Sequence, residues 1–239
     1  MSDAQHRKAN TRLILFDMDG TLVMVSKCYR EGVVQALQTV YGVEPAESEK
    51  GQHSGNSQRN ILRFHLQRRG VRPEVAEAGL DEAMSIWNRV TIEGLDRDLS
   101  WAVLPGIPDL LCALEARGER MALVTGTLGP MARTVLERAG LARFFPVQAC
   151  GDEVEDRLQL LQLGIKRAAI AYDMAMSDFA PIVAIGDGTR DIEAARAVGA
   201  RVVSVATGFH DLDTLRALKP DAAFADFQDW QQALDAILA

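Results

Sequence analysis

The stretch LILFDMDGTLV, residues 13–23, runs an apolar segment into two aspartates set two apart, then into a glycine and a threonine. An uninterrupted LILF suits a strand buried on both faces, as in a parallel sheet. If residues 17–19 stay extended, Asp17 and Asp19 project to one side and Met18 to the other, so two carboxyl groups share one small space. They do not ionise comfortably together without a cation. Gly20 allows a tight turn without a Cβ, and Thr21 can hydrogen-bond within it.

The same texture recurs along the chain. RMALV (120–124), PVQAC (146–150), IVAIG (182–186) and RVVSV (201–205) read as further buried strands beside RLILF (12–16). Each is followed by helix-like sequence. IPDLLCALEARG carries Pro108 in its first turn, sets Leu110, Leu111 and Leu114 on one face, and stops at Gly118. PMARTVLERAG, DIEAARAVGA and DLDTLRALKP repeat the pattern of an apolar stripe with a glycine or proline stop. Strands alternating with helices predict an α/β protein with a doubly wound parallel sheet. From about Val25 to Leu99 the texture changes. CYREGVVQALQTVYG, SQRNILRFHLQRRG and EVAEAGLDEAMSIWNRVTI have helical spacing and no strand, which predicts a helical insertion at residues 23–100 in a domain formed by residues 1–22 and 101–239. The Trp87, Trp101, Phe64 and Met84 group reads as packing within that insertion.

Composition narrows the function classes. The 239 residues are 48% apolar, enough for a sizeable core, and disorder is excluded. The 33 acidic residues outnumber the 26 basic ones for a net charge of -7, which disfavours non-specific attraction to nucleic acid or anionic lipid. The polar opening MSDAQHRKANTR and the lack of a long apolar run predict neither a secretory leader nor a membrane span, hence a cytoplasmic protein. Cys28, Cys112 and Cys150 are widely spaced and read as buried free thiols. His6, His53, His65 and His210 are scattered and do not suggest a metal site.

Three strand ends carry complementary polar groups: Asp17 and Asp19 after RLILF, Thr125-Gly126-Thr127 after RMALV, and Asp187 with Asp191 after IVAIG. In open parallel sheets the ligand site lies beyond the carboxyl ends of the strands, where these groups would converge. The set suits phosphoryl transfer. A hard cation such as Mg²⁺ would keep Asp17 ionised for attack on phosphorus, while Asp19 carries a proton for the leaving alcohol. Asp187 would add an oxygen ligand. Asp191 would ligate through water, orient its neighbours, or cap the helix that follows. The Thr125 hydroxyl and the amides of Gly126 and Thr127 would donate to phosphoryl oxygens.

DMDGT, VTGT and GDGTRD resemble the first, second and fourth motifs of the haloacid dehalogenase-like hydrolase superfamily, and the helical insertion resembles its type 1 cap. The resemblance runs from about Leu13 to the RVVSV strand. It implies a Rossmann-like core, Asp17 as the nucleophile that forms an aspartyl-phosphate, and Asp19 as general acid and base. It also implies Mg²⁺ bound by Asp17, the Asp19 backbone carbonyl and Asp187. The family's third motif is a basic residue, often a lysine followed by proline. Here the region reads GDEVEDRLQLLQLGIKRA, which offers Arg157 at the expected place and Lys166 nine residues on.

In the insertion, the polar, glycine-marked GQHSGNSQRN (51–60) is the candidate for substrate selection, with Ser54, Asn56 and Arg59 as the residues to vary. The same segment also reads as an ordinary interhelical loop with Asn56 or Ser57 as an N-cap. The resemblance implies a phosphomonoesterase acting on a small metabolite such as a phosphoglycolate-like or sugar-phosphate ester. A dehalogenase or a phosphonate hydrolase has no need of Asp19. A sugar-phosphate mutase keeps it but carries a histidine soon after the first motif, where this chain has MVSKCYREG. A non-catalytic phosphate binder is the remaining alternative.

Overall fold

The computed structural model of the chain describes residues 11–49, 51–52, 55–179 and 181–239, without the side chain of Ser26. Its centre is a six-stranded parallel sheet in the order β3-β2-β1-β4-β5-β6. The strands are β1 (Leu13–Phe16), β2 (Arg120–Thr125), β3 (Gln148–Cys150), β4 (Ile182–Gly186), β5 (Arg201–Val205) and β6 (Ala222–Phe224). β1 lies between β2 and β4, with Phe16 opposite Leu123 on one side and Ile185 on the other. The strand order reverses at this position, so the crevice at the carboxyl end of β1 is the expected ligand site.

Alternation along β1 divides the core. Ile14 and Phe16 face one cluster and Leu13 and Leu15 the other. On the first face pack α4 (Ile107–Ala116), α5 (Gly129–Arg138) and α9 (Trp230–Leu238), through Leu110, Leu111, Leu114, Val135, Leu234 and Ile237. On the second pack α6 (Arg157–Ala171), α7 (Thr189–Ala197) and α8 (Leu212–Ala217), through Leu160, Leu161, Ile165, Ile192 and Leu215. With both faces covered, β1 can be apolar throughout.

The insertion is helical. α1 (Ser26–Tyr41), α2 (Gln58–Arg68) and α3 (Pro73–Gly94) enclose a core of their own around Leu37, Leu62, Leu66, Leu80 and Trp87. Leu128 and Met131, at the start of α5, belong to that core too, so the insertion rests on the main domain through apolar contact. Its two connections pair with each other: Met24 N–H donates to the Ala102 carbonyl at 2.8 Å, and Leu104 N–H donates to that of Leu22 at 3.0 Å.

Three expectations need correction. Trp101 stands 65% exposed, outside the cap packing that Trp87 and Met84 do join. Cys112 is exposed and Cys28 half-buried, leaving Cys150 as the buried thiol. Asp191 lies inside the first turn of α7, three residues after the N-cap position at Gly188.

Arg138, at the end of α5, donates to the carbonyls of Leu95 (2.8 Å), Asp96 (3.2 Å) and Ile92 (3.3 Å) where α3 ends and the chain returns. Hydrogen bonds from a charged donor contribute more than neutral ones. Arg138→Ala is expected to lower stability by about 1–3 kcal/mol, read as a fall in the denaturant midpoint without a change in the slope.

Candidate active site

The pairing of β1 with β4 continues one residue past the strand. Asp17 N–H donates to the Ile185 carbonyl at 2.9 Å. The chain then turns, with Leu22 N–H on the Met18 carbonyl at 2.8 Å and Gly20 N–H on that of Val23 at 2.9 Å. Gly20 sits at φ 78°, and a Cβ there would lie 2.7 Å from Asp187 Oδ2. Glycine is therefore needed both for the backbone and for the approach of the two motifs. Thr21 is fully buried and its hydroxyl donates to Asp187 Oδ1 at 3.3 Å.

Arg157 opens α6, whose N-cap Asp156 accepts from Gln159 N–H at 2.9 Å. Its guanidinium spans two acids, with Nη2 on Asp17 Oδ1 and Nε on Asp191 Oδ1, each at 2.8 Å. The other Asp191 oxygen accepts from Gly188 N–H at 3.0 Å, so this carboxylate anchors both Arg157 and the start of α7. Lys166 lies nine residues along the same helix, about two and a half turns, which turns it to the opposite face. It is exposed and does not reach this cluster, and the structure brings Arg157 to Asp17 instead.

Asp17, Asp187 and Asp191 can each offer an oxygen within 4.8 Å of the others. With Asp19, four carboxylates face one guanidinium. Burial raises the pKa of Asp17, against the pull of Arg157. Burial raises that of Asp187 further, helped by the charges of Asp17 and Asp191. Asp19 is pushed up to about 7, by burial first and then by Asp17. Closely spaced oxygen donors carrying excess negative charge fit a hard divalent cation.

The second strand end differs in detail from its expected role. The Thr127 amide donates to Thr125 Oγ1 at 3.2 Å, and the Thr127 hydroxyl donates to Asp19 Oδ2 at 3.0 Å. Thr127 thus positions the second aspartate, a role the sequence reading missed. Gly126 supports the insertion. Its carbonyl accepts from Gln58 N–H at 3.2 Å, and a Cβ on it would lie 2.5 Å from the Asn56 carbonyl oxygen. Gln58 Oε1 also accepts from Leu128 N–H at 2.8 Å. The loop before α2 is thereby seated on the strand end, with Ser57 as N-cap accepting from Asn60 N–H at 3.3 Å.

Asn56 lines one cavity of about 470 Å³ together with Asp17, Asp19, Thr125, Gly126, Thr127, Arg157 and Asp187. Ser54 and His53 fall outside the described residues. Arg59 turns elsewhere, pairing with Asp81 at 2.6 Å and with Glu155 of the main domain at 3.3 Å. Tyr29 is an addition that the sequence signalled only by its place, soon after the first motif. Its buried hydroxyl stands beside Asp19 and Thr127 without a well-formed hydrogen bond to either.

The family model for haloacid dehalogenase-like hydrolases matches residues 11–199. The chain belongs to that family. It is 28% identical over 233 residues to the phosphoglycolate phosphatase of Synechococcus elongatus, covering 94% of this chain and 98% of that one. To phosphoglycolate phosphatase 1 of Pseudomonas aeruginosa it is 30% identical over 230 residues, covering 88% and 79%. Its curated relatives thus place it among the phosphatases of the family. The fold is shared with β-phosphoglucomutase from Clostridium difficile (TM-score 0.75, 15% identity, covering 95% of this chain and 97% of that one). It is also shared with CbbY from Rhodobacter sphaeroides, solved in complex with phosphate (TM-score 0.73, 19% identity, covering 94% and 99%). No helix among the described residues is long and apolar enough to cross a membrane.

The crowded acids yield a stability prediction. A carboxylate whose folded pKa is raised binds its proton more tightly in the native state, so its contribution declines as pH rises above the unfolded value near 3.8. In metal-free protein at pH 8, Asp187→Asn is expected to raise the thermal midpoint. In wild type, millimolar Mg²⁺ is expected to raise the midpoint by linkage, and the variant should lose most of that shift.

Proposed function

We propose that this hydrolase is a Mg²⁺-dependent phosphomonoesterase of the cytoplasm, acting on a small phosphorylated metabolite through an aspartyl-phosphate. One observation carries the reading: two neighbouring carboxyls have different partners, Asp17 held by the Arg157 guanidinium and Asp19 by the Thr127 hydroxyl, with burial raising the pKa of Asp19. Asp17, Asp187 and the Asp19 backbone carbonyl would hold the cation, with Asp191 behind them. The cation supplies neutralisation of the phosphate and of the attacking carboxylate.

A carboxylate oxygen of Asp17 attacks phosphorus, and the ester P–O bond breaks. Asp19 gives its proton to the departing alkoxide, which its raised pKa suits it to do. Asp19, now ionised, takes a proton from a water whose oxygen attacks the same phosphorus. The acyl-phosphate bond breaks, inorganic phosphate leaves, and Asp17 is restored. Arg157 keeps Asp17 ionised and oriented throughout. Residues 23–100 act as a cap over residues 1–22 and 101–239, excluding bulk water during the first transfer. Asn56 on the cavity wall would contact the bound ester.

Phosphoglycolate, named for the curated relatives, is the first ester to try. The segment MVSKCYREG, where the resemblance implies a histidine in a mutase, has none and places Tyr29 on the cavity wall, which supports hydrolysis over transfer between sugar positions.

Phosphate release from p-nitrophenyl phosphate checks the assignment. Wild type should turn over with Mg²⁺ and stop with a chelator, and Asp17→Asn should lose at least about 10³-fold in kcat. Arg157→Ala should lose about 10²-fold, whereas Lys166→Ala should stay within about twofold. Equal losses at Arg157 and Lys166, or turnover without divalent metal, would refute it.

A further inference from the structure

Most of the residues that line the cavity holding Asp17 and Asp19 belong to the cap. Met24, Val33, Ile61 and Trp87 give it an apolar surface beside the polar Asn56 and Gln58, and Phe209, 57% exposed, joins them from the main domain. The cavity measures about 470 Å³. Pockets of this size and lining hold ligands with a substantial apolar body. Phosphate with a two-carbon alcohol would leave much of that wall uncovered.

The charges on the wall argue in the same direction. An ester carrying a carboxylate besides its phosphate needs a cation to receive it. Three line the cavity among the described residues. Arg157 is committed to Asp17 and Asp191, and Arg30 is paired with Glu47. Lys27 is exposed. His65 is buried with its Nδ1 2.9 Å from Glu49 Oε2, and burial lowers its pKa, so it does not serve as a cation. The wall does offer two buried polar groups without a well-formed protein hydrogen bond: the Tyr29 hydroxyl and the indole N–H of Trp87, a side chain 4% exposed. Buried donors of this kind call for an acceptor on the ligand.

We infer that the alcohol part of the substrate is uncharged and ring-sized, with an apolar face for Trp87, Ile61 and Val33 and an oxygen or nitrogen acceptor for Tyr29 or Trp87. This rests on the phosphomonoesterase reading and narrows its substrate class away from short esters bearing a carboxylate besides the phosphate.

The test compares benzyl phosphate with phosphoglycolate, both esters of primary alcohols, so that the body and not the activation of the leaving group differs. Wild type with Mg²⁺ should give a kcat/KM at least about tenfold higher for benzyl phosphate, a difference of about 1.4 kcal/mol in transition-state binding. Trp87→Ala and Ile61→Ala should each shrink that ratio at least about threefold, mainly through the KM of benzyl phosphate. Half-buried Ile61 keeps the test available if Trp87→Ala does not fold. Equal or better turnover of phosphoglycolate, or losses that fall equally on both esters, would overturn the inference while leaving the phosphatase standing. No phosphate from either ester would remove the phosphatase reading itself, and the inference with it.

Discussion

Arg157 donates to Asp17 and Asp191 at 2.8 Å each, and this fork ties the end of β1 to the first turn of α7, whose acids would otherwise repel. A planar guanidinium suits this bridging role because it presents separate donors at fixed spacing. The pairing is nearly fully buried, with about a tenth of each side chain exposed. Desolvation makes such ion pairs weak contributors to folding. The cluster is better understood as a functional arrangement that the two apolar layers around the sheet can sustain.

Three of the acids are further positioned by neutral donors, one to each. Thr21 donates to Asp187, Thr127 donates to Asp19, and Gly188 N–H donates to Asp191. Close approach is bought by missing side chains: a Cβ on Gly20 would strike Asp187, and one on Gly126 would strike the Asn56 carbonyl. The second contact brings the cap loop down onto a strand end. Gln58 holds it through its backbone to Gly126 and its side chain to Leu128, while Arg59 and Arg63 reach Glu155 across the same boundary. The helical insertion thus lines one cavity with Asp17 and Asp19 and contributes apolar wall to it.

Much of this was legible in the sequence for physical reasons. Buried parallel strands are continuous apolar runs, so β1, β2, β4 and β5 stand out, and the polar residue that ends the runs of β1, β2 and β4 marks the crevice. β6 is only Ala222–Phe224, too short for a periodicity to show, and α9 carries no turn signal strong enough to separate it from what precedes it. Asp17, Asp19 and Asp187 followed from strand ends alone. Thr127 was found for its amide, whereas its hydroxyl does the positioning, because hydrogen-bond direction depends on a turn that spacing does not specify. Gln58 and Tyr29 come from the cap, and no local pattern tells which cap residues meet a core strand end. Register along one helix separates Arg157 from Lys166, and that required knowing which face of α6 lies on the sheet.

The central claim is that Asp17, and not a neighbouring acid or a water, first takes the phosphoryl group. Acid-quenching the enzyme during turnover of a phosphate ester, followed by peptide mass spectrometry, measures this directly. The account predicts one added phosphoryl group on the peptide containing residues 13–23, located at Asp17 and absent from Asp17→Asn. Rapid turnover with no phosphorylated peptide, or a phosphoryl group on Asp19 or any other residue, would contradict it.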